Sequence, residues 1–467
     1  MLRKRRISDG VADEIVRIRA GQGPSGQDAR GVDFAAMNPI RIGLLGCGTV
    51  GGGVVHLLRA NAAYLAQSVG APLEVVSVLV RDVDKERVPE LDRARLTTDP
   101  EAVLGDPSID VFVEVMGGVN PARGYVERAI DTQRSVVTAN KMLLAMHGAA
   151  LVERAIAKGV DLAFEGSVGG GIPVVRVLRE ALASDWVVRL EGIVNGTCNY
   201  VLTRMHTDGL GFDEAVREAQ AKGYAEADPG LDVDGHDAAH KLVVLAMLAF
   251  GARVESSHVP TEGIRSIEPI DHRFAERFGF VIKHLAIGRD RGEGVELRVH
   301  PALVRRDTQL ANVNGVLNAI ALEGRALGPT LLSGRGAGDL PTAVSVVADV
   351  LDVARARRNG FAGLATRGIQ MKARPLTSLD DVRGRYYLRF QVHDRPGVLA
   401  RLAGALGEAG VSIEQMVQEG GGGGTGLPVQ IVMLTHETLE RDVRRALASI
   451  AESAVAASPP RLLRIQE

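Results

Sequence analysis

The sequence predicts a mainly α/β chain with three folded parts: a doubly wound parallel sheet, an α+β domain and a small C-terminal βαββαβ sandwich. Its 467 residues exceed what one hydrophobic core usually supports, so several domains are expected. Apolar strands alternate with amphipathic helices over about residues 38–150, which is typical of a parallel sheet. Residues 385–467 follow the order βαββαβ, which indicates a ferredoxin-like sandwich.

Composition excludes several classes of protein. The chain is 46% apolar and 24% charged with a formal net charge of -2, and no domain has the basic face that a nucleic-acid partner needs. The apolar run at 242–250 is much shorter than the roughly 18 residues of a membrane-spanning helix. Cys47 and Cys198 lie far apart, which excludes a disulfide framework and favours a reducing cytoplasm. We therefore expect a cytoplasmic protein with no nucleic-acid or membrane partner.

Residues 1–37 are expected to form an extension without fixed structure. They are rich in Arg, Gly and Asp and lack the apolar segment of a secretory signal. Met37 comes directly before the first predicted strand, so residues 1–36 also fit a start codon placed too early.

The first domain, residues 38–150, begins with a strand, a glycine turn and a helix. Further strands are predicted at 73–82, 111–118 and 135–140, and together they indicate a Rossmann-type doubly wound sheet. The turn reads G-x-G-x-x-G, and glycines there let a pyrophosphate approach the N-terminus of the helix. A dinucleotide site is favoured over a purely structural turn, and its predicted residues are Gly46, Gly48, Thr49, Val50 and Gly51.

The end of the second strand bears on the choice of cofactor. Arg81 stands where an NAD-preferring site usually has an acid, and a cation there suits the 2′-phosphate of NADP(H). The adjacent Asp82 leaves NAD(H) open, and Arg81 also fits a strand end that merely faces solvent.

The second domain, residues 151–370, is read as an α+β substrate and dimerisation domain. HPALV at 300–304 and VLNAIALEG at 316–324 are predicted strands, and the helix that follows the glycine loop at 332–356 is expected to pack back on the first domain. A linker, residues 371–384, leads to the C-terminal unit, which could be appended without touching the catalytic core.

Two glycine-rich segments could present inward-facing carbonyl groups. GSVGGGIP follows Glu165, and NGTCNY spans 195–200. Carbonyls with one carboxylate are ligands for hard cations, so either a cation site or a tight turn beside a cofactor fits the residues alone.

The stretch HDAAHKL at 236–242 places several polar side chains on the first turns of an apolar helix. Asp237 and Lys241 are four residues apart and share one face. A surface ion pair is the plainest interpretation, but a helix this apolar is buried, so its first turn should face a cleft. The alternative of His236 and His240 as a metal pair is disfavoured because the third ligand is not evident.

Taken together, the motifs resemble homoserine dehydrogenases that end in an ACT domain. The resemblance covers residues 39–467 and is carried by GCGTVG, VTANK at 137–141, EGSVGGGIP, GIVNGTCNY, AKGYAEADPGLDVDGHDAAHK and GRGAGDLPTA. It implies NAD(P)H-dependent reduction of aspartate 4-semialdehyde to homoserine, on the route to threonine, methionine and isoleucine. No kinase-like region precedes the glycine loop, so no fused aspartate kinase is expected.

The resemblance also assigns roles to individual residues. Lys241 matches the acid/base lysine and Lys141 the second lysine facing the site. Carboxylates that hold the substrate match Glu226 and Asp237, and backbone positions near the nicotinamide match Gly223 and Gly338. Glu165 and the carbonyls of Val168, Gly170 and Ile172 match a monovalent cation site, usually assigned to sodium.

These roles are physically coherent. Hydride transfer to an aldehyde leaves negative charge on the carbonyl oxygen, which an ammonium group can stabilise and then protonate. Two neighbouring lysines should depress each other's pKa. Asp228, Asp232 and Asp234 are left without a specific role beyond shaping the loop.

The C-terminal unit resembles ACT domains, which commonly bind amino acids at a dimer interface. The loop from Asp394 to Leu399 matches their ligand loop, and feedback inhibition by threonine is implied, as is a dimer or tetramer. The run Gly420 to Gly424 departs from the pattern and puts effector binding in question. Two alternatives remain: another NAD(P)-dependent amino-acid dehydrogenase, and an amino-acid sensor without turnover.

Overall fold

The structure, a computed structural model, describes residues 37–420, 428–453 and 455–466. The predicted N-terminal extension before Met37 and the glycines from 421 to 424 lie outside the described residues. The described chain divides into two compact units. The first unit comprises the described residues up to Asn140 together with 150–166 and 338–367, and the second comprises 141–149, 167–337 and the described residues from 368 onward.

The strands and helices are numbered in chain order. The strands are β1 (Ile40–Leu45), β2 (Leu73–Leu79), β3 (Leu96–Thr97), β4 (Val111–Glu114), β5 (Ser135–Thr138), β6 (Leu162–Ala163), β7 (Val187–Ile193), β8 (Ala252–Arg253), β9 (Phe280–Arg291), β10 (Gly294–Arg305), β11 (Leu317–Gly324), β12 (Gly328–Arg335), β13 (Lys372–Ala373), β14 (Arg383–His393), β15 (Ile413–Glu419), β16 (Pro428–Thr435), β17 (Thr438–Leu439) and β18 (Arg461–Gln466). The helices are α1 (Thr49–Ala60), α2 (Ala62–Val69), α3 (Pro100–Leu104), α4 (Ala122–Asp131), α5 (Lys141–Lys158), α6 (Val174–Arg176), α7 (Gly196–Asp208), α8 (Phe212–Ala221), α9 (Gly230–Val233), α10 (His236–Phe250), α11 (Pro269–Arg277), α12 (Asp339–Arg358), α13 (Val398–Glu408) and α14 (Glu440–Glu452).

The first unit is built on a parallel sheet. Its described strands lie in the order β3-β2-β1-β4-β5-β6, and every neighbouring pair is parallel. This is the doubly wound order, so the predicted Rossmann-type sheet is confirmed. Strands buried on both faces read as continuous apolar runs, and Ile42, Leu44 and Val113 are accordingly fully buried. The order reverses between β1 and β4, where ligands bind at the carboxyl ends of the strands.

Helix α12 belongs to the first unit although it follows the second unit's strands in sequence. Its buried face, which includes Ala343, Val346 and Val350, joins the apolar cluster that also contains Val54 of α1. The two helices approach closely at Gly53, where an added Cβ would lie 2.9 Å from the Ala343 Cβ and 3.0 Å from the Asp339 carbonyl oxygen. Glycine is therefore required by packing at this position.

The second unit contains one long mixed sheet, which we call the second sheet. Within the described residues its strands run β12-β11-β7-β9-β10-β18-β14-β16-β15, and β17 pairs with β14. The C-terminal part contributes β18-β14-β16-β15, the strand order of a ferredoxin-like βαββαβ sandwich, so that prediction is confirmed.

The C-terminal domain shares its sheet with the rest of the second unit. β18 pairs with β14 on one side and, in parallel, with β10 on the other. An apolar cluster runs across this junction and includes Phe274, Leu303, Tyr387 and Leu463. The expectation that this domain is appended without touching the catalytic core is therefore wrong, because one sheet and one core join the two.

The predicted linker at 371–384 is anchored rather than loose. β13 pairs with β8, and the Arg374 guanidinium donates to the Asp290 carboxylate at 2.6 Å and to the carbonyl oxygens of Phe250 and Gly294 at 3.0 and 2.9 Å. Both charged side chains are nearly buried, so Arg374 ties the connection to the β9–β10 hairpin. No helix among the described residues is long and apolar enough to cross a bilayer.

Candidate active site

The first turn of α10 carries the lysine that the sequence singled out. The helix begins after Gly235, whose φ of 89° is a left-handed conformation that glycine adopts without strain. Leu242, Val244 and Leu245 are fully buried, so the helix is anchored by its apolar body. This anchoring fixes Asp237 and Lys241 at the start of the helix, one turn apart on a common face.

Lys241 is buried, with 7% of its surface exposed, and its ammonium group donates hydrogen bonds to two oxygen atoms of the described residues. Its Nζ donates to the Val194 carbonyl oxygen at 2.6 Å and to Asp237 Oδ2 at 2.7 Å. An ammonium group has three hydrogens to donate, so two acceptors among the described residues leave one hydrogen without an acceptor. The surface ion pair considered for this spacing is excluded, because both partners are buried.

Asp237 is the centre of the cluster. Its Oδ1 also forms an ion pair with Lys141 Nζ at 2.5 Å, and its Oδ2 accepts a hydrogen bond from Asn195 Nδ2 at 2.9 Å. The structure therefore brings together Lys241, Lys141 and Asp237. Lys141 starts α5, and its side chain is 43% exposed, whereas Lys241 is enclosed.

The electrostatics of the two lysines differ. Burial, with repulsion from Lys141, lowers the pKa of Lys241 below its ordinary value, against the opposing pull of Asp237. Burial also acts to lower the pKa of Lys141, but Asp237, Asp232 and Glu226 outweigh it and the net pKa is raised. The expected lowering by the neighbouring lysine is therefore found for Lys241, whereas for Lys141 the carboxylates set the net direction and the pKa is raised. The two ammonium groups hold the pKa of Asp237 well below its usual range although burial acts to raise it.

The three acids that the sequence left unassigned have distinct contacts. Asp232 accepts hydrogen bonds from Asn195 Nδ2 at 2.7 Å and from Thr197 Oγ1 at 3.1 Å, so it orients the asparagine that holds Asp237. Asp234 pairs with Arg265, and Asp228 accepts from the Gly230 N–H. Sequence reasoning gave no role in the site to Asn195, Thr197 or Asp232, although NGTCNY contains the first two and the acidic stretch before α10 contains the third.

Glu226 and Gly223 lie on the exposed loop between α8 and α9. The Glu226 carboxylate is close enough to Lys141 to raise its pKa, and Gly223 has a φ of 73°, as a residue just after a helix end often does.

Burial lowers the pKa of His240. Among the described residues no group of three His, Cys, Asp or Glu side chains could hold a metal ion, so His236 and His240 gain no third ligand of these types.

The first unit holds a cavity of about 710 Å³ at the carboxyl ends of β1, β2 and β4. Gly46 has a φ of 98°, and a Cβ on Gly51 would lie 2.5 Å from the Gly46 carbonyl oxygen, so both positions require glycine. A Cβ on Gly48 would meet nothing within 4 Å, which leaves open space above the uncapped N-terminus of α1. Thr49 and Val50 form the first turn of that helix, where free N–H groups favour a phosphate.

The charged part of this cavity's lining is mainly cationic. Arg81 and Asp82, the two residues that the sequence singled out after the second strand, both line the cavity. Lys85 and Arg87 line it as well. The Arg87 guanidinium donates to the Asp82 and Lys85 carbonyl oxygens, which organises the loop. Sequence reasoning did not single out Lys85 and Arg87, although the high density of charged residues in RDVDKER could have indicated a phosphate-binding loop.

A buried carboxylate explains the VTANK motif. Glu114, at the end of β4, accepts hydrogen bonds from Thr138 Oγ1 at 2.6 Å, Asn140 Nδ2 at 3.3 Å and the Met116 N–H at 2.9 Å. Burial raises the pKa of this carboxyl above its ordinary value, against those hydrogen bonds. The motif thus fastens the ends of β4 and β5 to each other.

The residues of the predicted cation site fall in both units. Glu165 is buried in the first unit, and its backbone N–H donates to the Asp349 carboxylate at 2.8 Å. Val168, Gly170 and Ile172 belong to the second unit, where Gly170 has a φ of 57° and a Cβ on it would lie 2.6 Å from the Gly336 carbonyl carbon. Gly338, with a φ of 123°, precedes α12 in the first unit.

A doubly wound sheet with a glycine-lined nucleotide cavity, together with a buried lysine held by a carboxylate, defines a dinucleotide-dependent oxidoreductase. Family models agree in detail: "Homoserine dehydrogenase, NAD binding domain" matches residues 46–165, "Homoserine dehydrogenase" matches 173–351, and "ACT domain" matches 386–453. A homoserine dehydrogenase of Pseudomonas aeruginosa is 41% identical over 437 residues, covering 92% of this chain and 100% of its own length. The chain belongs to the homoserine dehydrogenase family.

Solved structures support the same family. A homoserine dehydrogenase from Thiobacillus denitrificans is 43% identical, with a TM-score of 0.87, and the match covers 93% of this chain and 100% of that one. The Staphylococcus aureus homoserine dehydrogenase is 29% identical with a TM-score of 0.73, covering 92% and 100%. A hyperthermophilic archaeal homoserine dehydrogenase mutant in complex with NADPH is 25% identical with a TM-score of 0.60, covering 70% of this chain and 100% of that one.

Proposed function

We propose that this oxidoreductase interconverts L-homoserine and L-aspartate 4-semialdehyde with Lys241 as the acid/base, in the biosynthesis of threonine, methionine and isoleucine. The observation that carries the proposal is the buried Lys241 ammonium with one hydrogen left for a substrate oxygen. In the reducing direction Lys241 donates a proton to the oxygen of the aldehyde as hydride arrives, and in the oxidising direction it takes that proton from the hydroxyl group. The lowered pKa of Lys241 suits both tasks.

The contacts of Asp237 and Glu226 support different roles for these two carboxylates. The resemblance matches Glu226 and Asp237 to carboxylates that hold the substrate, whose α-ammonium needs a counter-charge. Asp237 already holds Lys241 and Lys141, so we infer that it chiefly positions the two lysines. The exposed Glu226 is then the better supported counter-charge for the α-ammonium, and the partly exposed Lys141 assists at the substrate's negative groups.

Replacing Lys241 with alanine tests the mechanism. Loss of a positioned acid/base should reduce kcat for homoserine oxidation by about 10²- to 10⁴-fold while dinucleotide affinity stays unchanged. Lys222→Ala is the matched control, because Lys222 lies in the same stretch but pairs with Glu218 at the surface. Wild-type turnover by Lys241→Ala, with cofactor bound, would show that this mechanism is wrong.

For the cofactor we propose NADP(H) as the preferred dinucleotide, with NAD(H) as a second substrate. Arg81, Lys85 and Arg87 line the cavity where a 2′-phosphate would be placed, against the single acid Asp82. Loss of a charge-assisted hydrogen bond in Arg81→Ala should raise KM for NADP⁺ about 10- to 100-fold and leave KM for NAD⁺ nearly unchanged. Arg59→Ala, an exposed change at the far end of α1, serves as control, and equal effects on both cofactors would contradict the assignment.

We also propose that Glu165 and the carbonyls of Val168, Gly170 and Ile172 provide ligands for a monovalent cation, sodium in the first instance. Carboxylate and carbonyl oxygens are the donors that hard cations prefer. Activity should rise with NaCl when choline chloride keeps the ionic strength constant, and Glu165→Gln should weaken that dependence. A rate that is the same in both salts would oppose the proposal.

Threonine is the proposed effector of the C-terminal domain, in a homodimer or homotetramer. The loop after β14 ends at Gly397, whose φ is 89°, and it leads into α13 without a side-chain cap, so no side chain occupies the anion-favouring start of this helix. Arg464 connects the C-terminal domain with a segment near the active site. It bonds Glu440 of α14 at 2.7 Å and Glu262 at 2.7 and 3.0 Å.

Glu262 in turn belongs to the segment that holds the substrate loop. The Ile264 N–H donates to the Val233 carbonyl oxygen at 2.8 Å, next to Asp232 and Asp234. Glu262→Gln should therefore weaken threonine inhibition several-fold and leave uninhibited turnover unchanged, as measured by initial rates against threonine concentration. Glu255→Gln, an exposed change on a neighbouring segment, should alter neither quantity, and light scattering of the same samples would report the oligomer.

A further inference from the structure

A second cavity lies where the two parts of the second sheet join. It measures about 230 Å³ and is lined by residues of β7, β9, β10, β14 and β18. Among the described residues its charged lining comprises one glutamate, Glu437, and six arginines: Arg189, Arg289, Arg298, Arg383, Arg385 and Arg464. Arg385 and Arg464 pair with carboxylates outside this lining, Arg385 with Glu414 and Arg464 with Glu262 and Glu440, so the inner arginines decide the character of the cavity.

The sheet register places the inner arginines side by side. Arg189 of β7 is opposite Arg289 of β9, which is opposite Glu296 of β10, and Arg298 is two residues further along β10. Residues opposite one another, and residues two apart on a strand, point to the same face. The neighbouring Gly288 packs against Phe250 of α10, so these charged side chains lie on the face away from that helix.

Arg289 and Arg298 have incomplete counter-charges. The nearest carboxylate to Arg289, Glu191, is 3.8 Å away and also pairs with Arg189 at 2.5 Å. Arg298 lies 3.2 Å from Glu296, which it shares with Arg291. Each carboxylate thus serves two guanidinium groups.

The same two arginines have hydrogen-bond donors without acceptors. The buried Nε atoms of Arg289 and Arg298 find no partner among the described residues, although Arg298 is only 5% exposed. Burial, with repulsion from Arg289 and Arg464, lowers the pKa of Arg298 to about 10, although Glu296 acts to raise it. Buried donors without acceptors are costly, so an anion at this place would stabilise the arrangement.

We propose that this arginine-lined cavity binds a small oxyanion, either a phosphate or a carboxylate. Guanidinium groups match both chemistries because they present parallel N–H donors to two oxygen atoms. The cavity adjoins Gly384 and Tyr386 at the start of β14, whereas the loop proposed for threonine follows the other end of that strand. The two sites are therefore separate, and binding here does not rest on the proposed function.

Calorimetric titration of the full-length protein tests the site. Inorganic phosphate and acetate are titrated separately at constant ionic strength, with NADP⁺ in excess so that the glycine loop at Gly48 is filled. One phosphate or one acetate should bind per chain, and Arg289→Gln should raise the dissociation constant at least tenfold. Arg289 is partly exposed, so this variant is expected to fold, and its melting temperature is measured alongside.

Arg305→Gln is the matched control because it removes the same charge from the other end of β10, outside the cavity. Unchanged affinity in this control, together with weakened binding in Arg289→Gln, supports the site, and the anion that binds more tightly identifies the chemistry. The proposal fails if neither anion saturates, if Arg289→Gln binds as the wild type does, or if Arg305→Gln weakens binding equally.

Discussion

At the scale of single residues, the proposed chemistry depends on the different environments of two lysines that share one carboxylate. Lys241 is enclosed and its pKa is lowered, whereas Lys141 is partly exposed and its pKa is raised. The proposed mechanism accordingly assigns proton exchange to the enclosed lysine and leaves the other as a positive charge. Asp237 makes both roles compatible by contacting each ammonium with a different oxygen atom.

Asparagine at position 237 should shift the pH dependence. Asp237 stabilises the Lys241 ammonium, so its removal lowers the pKa of Lys241 further below the ordinary value of 10.5. In the proposed mechanism homoserine oxidation needs neutral Lys241, so kcat/KM should rise as pH increases through that pKa. In Asp237→Asn the rise should move to lower pH by about one to three units, with a reduced plateau, as measured by pH profiles of initial rate.

A comparison with Asp228→Asn makes that measurement specific. Asp228 is an exposed acid of the same loop that accepts a hydrogen bond from the Gly230 N–H, so its variant should keep the wild-type profile. A profile in Asp237→Asn that stays in place or moves to higher pH would contradict the assigned electrostatics.

How much of the site the sequence could predict depends on spacing along the chain. Asp237 and Lys241 lie one helical turn apart, and their contact was predictable from periodicity. Asn195 and Asp232 meet across 37 residues, and nothing in their local pattern gave that distance. The net pKa of Lys141 was unpredictable for the same reason, because three carboxylates from distant positions decide it.

At the scale of secondary-structure elements, the contact of α1 with α12 sets a limit on side-chain size. Gly53→Ala should destabilise the first unit by about 1–3 kcal/mol, since the new methyl group would press on the Asp339 carbonyl oxygen and Ala343. Thermal and denaturant unfolding would measure the change.

The matched variant is Gly124→Ala in α4. Gly124 is exposed and a Cβ there meets nothing within 4 Å, so alanine should stabilise the helix by about 0.5–1 kcal/mol. Opposite signs for the same substitution would separate close packing from helix propensity. If both variants gained stability, the tight contact at Gly53 would be refuted.

The elements themselves were largely predictable, whereas their pairing was only partly so. The strands of the first unit were visible as apolar runs, and their order follows from the βαβ pattern. The pairing of β18 with β10 joins Ala302 to Arg464, and no periodicity reports a partner at such a distance. For this reason the sequence pattern alone suggests a C-terminal domain that stands apart from the catalytic core.

At the scale of the whole molecule, β18 joins the parts of the second sheet. Deleting residues 459–467 should expose the edges of β10 and β14, and unpaired edges promote aggregation. We expect a sharp loss of soluble protein and a lower melting temperature, with activity lost in proportion. Size-exclusion chromatography and thermal unfolding would measure both.

Arg461→Ala is the control for that deletion, because it trims a partly exposed side chain at the start of β18 and leaves the backbone pairing intact. It should remain soluble and active. A deletion variant as soluble and stable as Arg461→Ala would show that β18 does not hold the second sheet together.

The central place of β18 has a consequence for the order in which the protein is made. On the ribosome β10 emerges well before β18, so during synthesis one edge of β10 has no neighbour while the intervening segments are added. The pairing between them closes a very long loop, a step that slows folding. The second sheet is therefore expected to be completed late in biogenesis, and the exposed edge of β10 is the segment that a chaperone would protect in the meantime.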